Sequence, residues 1–138
     1  MTILLGATGY VGSAFAGFLH SRGIPFVAVS RQTCDYSDAS ALRTLLVEHE
    51  ASFVINCAGF TGKPNVDACE VQKYDCLKGN AVLPGVIKTV CEDLGVPWGH
   101  VSSGCIFKGD RSPDRSDRRS SGFAPPQTRP DRRPDKNP

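Results

Sequence analysis

Long apolar runs, paired cysteines and clustered histidines are all missing from this sequence. No apolar run approaches the ~20 residues that a membrane span needs, and the first residues do not combine a basic segment with an apolar one as a secretion signal does. The six cysteines form no Cys-x-x-Cys pair, and Cys57 lies inside an apolar run, which favours reduced, buried thiols over disulfides. His20, His49 and His100 lack the spacing of metal ligands. We therefore expect a soluble, cytoplasmic protein without a bound metal.

Apolar residues are also nearly absent from residues 108–138, where only Phe123 and Ala124 are apolar. This segment has nine Lys or Arg, five Asp and six Pro, hence a net charge of +4, whereas the rest has seven basic and nine acidic residues, or −2. So little apolar surface does not offset the entropy of ordering the chain. A nucleic-acid arm is disfavoured because aspartates interleave with the basic residues and one Phe offers no stacking platform. We expect one folded domain over residues 1–107 and a disordered tail over 108–138.

Up to Phe107 the sequence alternates short apolar runs with helical patterns. The apolar runs predict strands over residues 2–5, 24–29, 53–57 and 96–101. Helices are predicted after the glycines of residues 6–12, after Asp38 as a cap, and before Gly95 as a stop. The positions predicted to be buried in these helices are Val11, Ala14, Phe15, Phe18, Leu19, Leu42, Leu45, Leu46, Val82, Val86, Ile87, Val90 and Leu94. The alternation predicts an α/β fold with a Rossmann-like, doubly wound parallel sheet, which binds ligands beyond the carboxyl ends of its strands.

A turn with three glycines, Gly6, Gly9 and Gly12, follows the first strand and opens the first helix. One glycine permits the tight turn, one lets the backbone approach phosphates, and one lets the helix pack closely on the sheet. The free N–H groups and the positive dipole end of the helix attract an anion. We therefore predict that this turn binds the pyrophosphate of a nicotinamide cofactor, through Gly6, Thr8, Gly9, Tyr10, Val11 and Gly12.

The end of the second strand bears on the choice between NADP and NAD. It reads Val29-Ser30-Arg31, without the acidic residue that bonds the ribose hydroxyl of NAD. Ser30 and Arg31 suit a 2′-phosphate, which favours NADP, and the alternative is that Arg31 is a solvated loop residue. Asp35 and Tyr36, before the second helix, either line the adenine pocket or belong to a plain turn.

Three stretches of the sequence resemble the extended short-chain dehydrogenase/reductase superfamily, namely Gly6–Gly12, Asn56–Gly59 and Val101–Phe107. Within that superfamily, residues 2–109 are similar to the dTDP-4-dehydrorhamnose reductases and to the plant-type bifunctional enzymes that epimerise and reduce 4-keto-rhamnose nucleotides. The latter carry a segment like Thr61–Glu70. The resemblance implies NAD(P)-dependent reduction of a keto-sugar attached to a nucleotide.

The resemblance also implies roles for individual residues. Ser103 takes the place of the catalytic serine or threonine that hydrogen-bonds the substrate carbonyl, and Asn80 that of an asparagine near the active site. The alternatives are that Ser102 and Ser103 end a strand, that Asn80 caps a helix, and that Lys63 is a solvated side chain. The implied cofactor contacts at the third strand and beyond are Cys57, Ala58, Gly59 and Asn80, and the implied substrate contacts are Lys63, Asn65, Ser102 and Gly104.

The sequence departs from the family's pattern beyond Ser103. The family's proton donor is a tyrosine followed four residues later by a lysine, whose charge lowers the pKa of the phenol. None of the three tyrosines, at positions 10, 36 and 74, follows Ser103. Tyr74 and Lys78 have the spacing but precede the serine, so we ascribe this match to chance. The change of composition at Lys108 leads us to expect a truncated chain, from a shifted reading frame or a shortened gene.

Two functions from different classes fit these observations. The first is an NADP-preferring reductase or epimerase/reductase of 4-keto-sugar nucleotides, in a truncated form that we expect to turn over little. The second is a non-catalytic, dinucleotide-binding regulatory subunit that acts through a protein partner. A homo-oligomer is compatible with either function.

Overall fold

Four parallel strands form a single sheet in the computed structural model, which describes residues 1–62 and 67–102. The strands are β1 (Thr2–Leu5), β2 (Phe26–Val29), β3 (Phe53–Asn56) and β4 (Trp98–His100), and their order across the sheet is β2-β1-β3-β4. Leu5 pairs with Val29 on one side and with Asn56 on the other, so three strands end at the same level. The chain reverses its direction across the sheet after β2, which makes the gap between β1 and β3 the topological switch point. The predicted Rossmann-like parallel sheet is confirmed.

Helices connect these strands. They are α1 (Tyr10–Ser21), α2 (Ala39–Glu48), α3 (Ala68–Val71), α4 (Lys73–Leu77) and α5 (Leu83–Leu94), and a π-helical turn (Lys78–Val82) joins α4 to α5. The Asp38 carboxylate accepts a hydrogen bond from the Ala41 N–H at 2.8 Å, so this residue caps α2 as predicted. Gly95 ends α5 with a φ of 65°, the left-handed conformation expected of a stop residue.

The main core lies between the sheet and the pair α2 and α5. Ile3, Leu5 and Val54 contribute from the strands, and their side chains are fully buried. The helices contribute Leu42, Leu46, Leu83, Ile87, Val90 and Cys91. Burying side chains of this kind stabilises the fold by about 1.5–3 kcal/mol each relative to exposure. This core fixes the level at which the strands end and the loops after them begin.

Three predicted buried positions of α1, Val11, Ala14 and Phe18, are wrong because all three are exposed. Val11 is 38% exposed and Phe18 is 53% exposed, whereas Gly12 and Leu19 are the buried residues of this helix. Leu19 is a predicted buried position and Gly12 is not, so the buried stripe of α1 only partly coincides with the predicted one. The Phe18 ring instead lies at the surface under the Arg22 guanidinium, 5.2 Å from it.

Residues 67–82 also differ from the prediction. The sequence pattern predicts no helix over residues 67–81, but α3, α4 and the π-helical turn occupy this stretch. Val82 falls in that turn and is 51% exposed, so its predicted burial is wrong. Strand β2 starts two residues later than predicted because Pro25 precedes it and has no N–H to donate.

Residues Met1–Val101 form one compact unit. The predicted boundary at residues 107/108 and the predicted disordered tail lie outside the described residues. Within the part of the chain that the structure describes, no helix is both long enough and apolar enough to cross a membrane.

Candidate functional site

The turn between β1 and α1 packs backbone against backbone. Gly6 has a φ of +75°, and a Cβ placed on it would lie 2.7 Å from the backbone nitrogen of Ala58. A Cβ placed on Gly12 would lie 2.1 Å from the carbonyl oxygen of Gly6, far inside contact distance. The Gly9 N–H donates to that same carbonyl at 3.0 Å. The three glycines therefore let β1, the start of α1 and the end of β3 approach more closely than side chains would permit.

The N-terminus of α1 opens directly after this turn. Its cap residue is Gly9, its first turn carries no acidic side chain, and no side chain caps it. The first N–H groups of a helix have no partner inside the helix, and they carry the positive end of its dipole. An anion beside Gly9 would therefore meet unoccupied donors and a favourable field.

A groove crosses the switch point at the carboxyl ends of the strands. Its first half is a cavity of about 390 Å³, lined by Gly6, Thr8, Gly9, Ser30, Arg31, Gln32, Tyr36, Cys57, Ala58 and Gly59. Its second half is a cavity of about 370 Å³, lined by Arg31, Asp35, Tyr36, Ser37, Phe60, Asp75, Lys78, Gly79 and Leu83. Arg31 and Tyr36 belong to both halves, so the two cavities adjoin. Most of the predicted cofactor residues thus line one groove.

Other predicted residues lie elsewhere. Gly12 packs behind the glycine turn, and Tyr10 and Val11 are exposed at the start of α1, outside both halves of the groove. Ser102 is exposed. Four predicted site residues fall outside the described residues: Lys63, Asn65, Ser103 and Gly104.

Arg31 spans the groove. Its Nη2 donates to the carbonyl oxygen of Gly59 at 3.3 Å, which joins the loop after β2 to the loop after β3. Beside it, Ser30 is held in a tight turn, because its N–H donates to Thr33 Oγ1 at 3.0 Å and its carbonyl accepts from the same hydroxyl at 2.9 Å. The guanidinium is exposed and charged, and no acidic residue follows β2 directly.

Asp35 provides a fixed negative charge in the second half of the groove. Its carboxylate accepts hydrogen bonds from the Ser37 hydroxyl and, at 3.1 Å, from the Ser37 N–H. These bonds, followed by the nearby charges of Lys78 and Arg31, hold the pKa of Asp35 below its usual value. Asp35 therefore both forms a local turn and lines the groove, and its contact with an adenine stays a prediction.

Asn56 is a structural feature that sequence reasoning missed. It is fully buried at the end of β3, its Oδ1 accepts from the Ala58 N–H at 2.9 Å, and its Nδ2 lies 3.0 Å from Nδ1 of His100. Because Oδ1 accepts, Nδ2 donates, and His100 Nδ1 is the acceptor. Asn56 thus fixes the Ala58 backbone against Gly6. The available signal was a lone polar residue at the end of an apolar strand.

Asn80 acts on the same loop from the opposite side. Its Oδ1 accepts from the Phe60 N–H at 2.8 Å, and its Nδ2 donates to the Phe60 carbonyl at 2.8 Å. The prediction that Asn80 alternatively caps a helix is wrong, because its side chain is committed to Phe60 and α5 has no side-chain cap. Asn80 does not line the groove itself but positions the backbone that does.

Two further predictions concern other kinds of site. Tyr74 is 74% exposed and does not line the groove, although Lys78 does. Across residues 1–62 and 67–102, no three His, Cys, Asp or Glu side chains are grouped in a way that could hold a metal ion.

Comparison with known proteins decides the family. The family model described as the RmlD substrate binding domain matches residues 1–122. The chain belongs to this family. The resemblance inferred from the sequence is therefore confirmed.

Several relatives within and around the RmlD family are similar to this chain. The bifunctional dTDP-4-dehydrorhamnose 3,5-epimerase/dTDP-4-dehydrorhamnose reductase of Arabidopsis thaliana is 28% identical over 108 residues, which is 78% of this chain and 35% of that protein. A dTDP-4-dehydrorhamnose reductase from Clostridium acetobutylicum has a crystal structure with 26% identity and a TM-score of 0.67, covering 81% of this chain and 39% of that one. The reductase of Bacillus anthracis in complex with NADP shares the fold, with 21% identity, a TM-score of 0.69, and coverage of 80% and 38%. The chain thus spans little more than a third of these proteins.

Proposed function

We propose that this chain is the cofactor-binding part of an NADP-preferring reductase or epimerase/reductase that acts on 4-keto-sugar nucleotides. The observation that carries the proposal is the glycine turn, where a Cβ on Gly12 would lie 2.1 Å from the Gly6 carbonyl. A turn this close-packed, opening an uncapped helix, leaves room for a pyrophosphate against the backbone. The groove beside it runs along the loops after β2 and β3, where an adenosine would lie. When bound, the nicotinamide supplies the hydride for a keto group.

The preference for NADP is supported by the loop after β2. Arg31 carries an exposed guanidinium into the groove, and Ser30 lies next to it in a hydrogen-bonded turn. A phosphate accepts charge-assisted hydrogen bonds from such a pair, and no carboxylate stands at that position to repel it. Asp35 and Tyr36 line the half of the groove in which the adenine would lie.

The substrate side of the proposal rests on the family. We assign the bond to the substrate carbonyl to Ser103, and contacts near the sugar to Lys63, Asn65, Ser102 and Gly104. Asn80 is assigned a positioning role, since it holds the Phe60 backbone by two hydrogen bonds. No observation on the described residues favours the alternative of a non-catalytic regulatory subunit.

We expect the 138 residues by themselves to turn over little. No tyrosine follows Ser103 in this sequence, and loss of a general acid typically lowers the rate by roughly 10²–10⁴. Steady-state oxidation of NADPH in the presence of a 4-keto-sugar nucleotide measures this directly. Rapid turnover by this chain would show that another residue donates the proton.

The compartment and partners are also part of the proposal. The five cysteines within the described residues are free thiols, which supports a reducing compartment such as the cytoplasm. The partner that we propose is the sugar nucleotide. A homo-oligomer or a protein partner stays a prediction.

Calorimetric titration with NADP and NAD tests the cofactor site, with Arg31→Ala as the variant and Arg22→Ala as the matched control. Arg22 lies at the far end of α1, beyond the last residue of the helix. We expect Arg31→Ala to weaken NADP binding roughly tenfold, about 1.4 kcal/mol, because one charge-assisted contact is lost. NAD binding should change little, and Arg22→Ala should change neither. Equal losses for NADP and NAD in the Arg31 variant would refute the 2′-phosphate assignment.

A further inference from the structure

Side-chain hydrogen bonds connect β4 to the glycine turn. Nδ2 of Asn56 lies 3.0 Å from Nδ1 of His100, and Oδ1 of Asn56 accepts from the Ala58 N–H at 2.9 Å. Ala58 packs against the glycine turn, because a Cβ placed on Gly6 would lie 2.7 Å from the Ala58 backbone nitrogen. We call His100, Asn56 and Ala58 the amide relay, since the Asn56 amide links the other two residues.

The main chain around Asn56 is fixed on both sides. Asn56 is in register with His100, and its carbonyl accepts from the Val101 N–H at 2.9 Å. On the other side of the strand, the Cys57 N–H donates to the Leu5 carbonyl at 3.0 Å. The Asn56 side chain is also fully buried, so no water reaches it. An amide held in this way has few means of compensating for the loss of a hydrogen-bond partner.

The amide relay requires one tautomer of His100. If the Asn56 amide were turned over, its NH₂ group would face the Ala58 N–H and two donors would meet, so Oδ1 must face Ala58. The NH₂ group then needs an acceptor, and a neutral imidazole offers one at Nδ1 only when its proton is on Nε2. The proton position on His100 therefore decides whether every member of the relay has a partner.

We infer that His100 is a positioning residue of the cofactor site, whose unprotonated Nδ1 locks the Asn56 amide that holds Ala58 against the glycine turn. Where it concerns cofactor binding, the inference rests on the proposed function, since Gly6 and Ala58 line the first half of the groove. His100 lines neither half, so it acts through Asn56 and does not touch the ligand. The pyrophosphate is common to NADP and NAD, so the effect should be equal for both cofactors.

The size of the effect follows from the loss of one buried hydrogen bond. Such a loss shifts the balance between the held and a displaced position of the Ala58 backbone by about tenfold. A cofactor that binds only the held arrangement has its Kd raised by the reciprocal of the fraction that is held. We therefore expect the Kd values of NADP and NAD to rise roughly five- to tenfold when residue 100 lacks an acceptor.

Calorimetric titration of His100 variants tests this effect. His100→Asn keeps an acceptor, because the asparagine Oδ1 takes the place of the imidazole Nδ1, whereas His100→Leu has none. His49→Leu is the matched control, since His49 is exposed at the end of α2. We expect His100→Leu to bind both cofactors more weakly, and His100→Asn and His49→Leu to bind them like the wild type. Equal affinities of His100→Leu and His100→Asn, both weak or both normal, would overturn the inference.

NMR of the wild-type chain without a cofactor tests the tautomer. Long-range nitrogen–proton correlation spectra of the neutral imidazole should show the His100 proton on Nε2 and none on Nδ1. A proton on Nδ1 would overturn the inference, because that nitrogen could no longer accept from Asn56. The measurement needs no variant, so it decides the matter even if His100→Leu does not fold.

Hydrogen exchange of the Ala58 amide separates the relay from the proposed function. Exchange should be faster in His100→Leu and should return to the wild-type rate in His100→Asn, and identical rates in these two variants would refute the relay. A wild-type chain that binds neither NADP nor NAD would instead refute the proposed function. The Ala58 exchange rates would then still decide whether His100 positions the loop after β3.

Discussion

Two glycines of α1 allow the effect of close packing on stability to be measured apart from the effect of helix propensity. Gly12 and Gly17 both lie in α1, and we propose to compare Gly12→Ala with Gly17→Ala. A Cβ on Gly17 meets nothing within 4 Å, so this variant should gain stability because alanine loses less backbone entropy on folding. The gain is about 1 kcal/mol for an exposed helical position. For a domain of about 100 residues this raises the Tm by roughly 4–8 °C.

The same substitution at Gly12 should act in the opposite direction. The new Cβ would lie 2.1 Å from the Gly6 carbonyl oxygen and 2.8 Å from its carbonyl carbon. These are backbone atoms at the end of β1 and cannot rotate away, so the strain falls at the upper end of the ~1–3 kcal/mol range of overpacking, or beyond it. After subtracting the helix gain, we expect a net loss of about 2 kcal/mol.

The difference between the two variants is therefore about 3 kcal/mol, and urea unfolding followed by circular dichroism measures it. Each variant is also titrated with NADP. Gly17→Ala should bind normally, whereas Gly12→Ala should bind poorly even under conditions where it is folded, because the displaced Gly6 carbonyl reshapes the turn. Two variants with the same stability and the same affinity would refute both the packing argument and the assignment of the turn.

Two further predictions concern the ends of β2 and β3. Ser37→Ala removes the hydroxyl that donates a hydrogen bond to the Asp35 carboxylate, so the pKa of Asp35 should rise towards its usual value. The control Ser40→Ala should leave that pKa unchanged. Carbon-detected NMR titration of the Asp35 carboxyl group measures the pKa in both variants. Because the folded-state pKa of Asp35 is lowered, its contribution to stability is present above pH ~4 and is lost as the pH falls through that lowered value. In Ser37→Ala the free energy of unfolding should therefore depend less steeply on pH over this acidic range. Asn56→Ala should destabilise the chain by about 1–3 kcal/mol in urea unfolding, because the Ala58 N–H and a His100 nitrogen lose their partners. A change below about 0.5 kcal/mol, the size of an ordinary surface effect, would show that water replaces the amide.

The parts of the fold that the sequence predicts well depend on neighbouring residues only. The strand of residues 2–5, the cap at Asp38 and the stop at Gly95 each follow from a residue type and its immediate neighbours. The close approach of Gly12 to the Gly6 carbonyl belongs to the same class, because it arises within seven residues, whereas the approach of Gly6 to Ala58 depends on the sheet. Such features can be predicted from the sequence because the residues that cause them are neighbours in the chain, and the structure confirms them.

The errors arise where burial depends on distant parts of the chain. Val11 and Phe18 are apolar and helically spaced, but a single sequence does not show which stripe of α1 meets the sheet. Residues 67–82 form two helices of only one turn or so and a π-helical turn, too short for any period to be read. The side-chain contacts at the groove could not be predicted for the same reason. The Arg31–Gly59 pair is separated by 28 residues in the chain, and the Asn80–Phe60 pair by 20.

These long-range contacts hold the loop after β3 in place. Asn56 holds Ala58 at 2.9 Å and Asn80 holds Phe60 at 2.8 Å, so the residues on either side of Gly59 are fixed by amide side chains. The Gly59 carbonyl between them is held by Arg31 alone among the side-chain contacts described, at 3.3 Å and in an exposed position.

The Arg31 contact is therefore the one that a ligand can replace without disturbing the loop. A 2′-phosphate would exchange this long bond to a neutral carbonyl for a charge-assisted one, which is roughly twice as strong. We therefore expect the Arg31 side chain to move on NADP binding while the backbone of residues 57–60 stays in place.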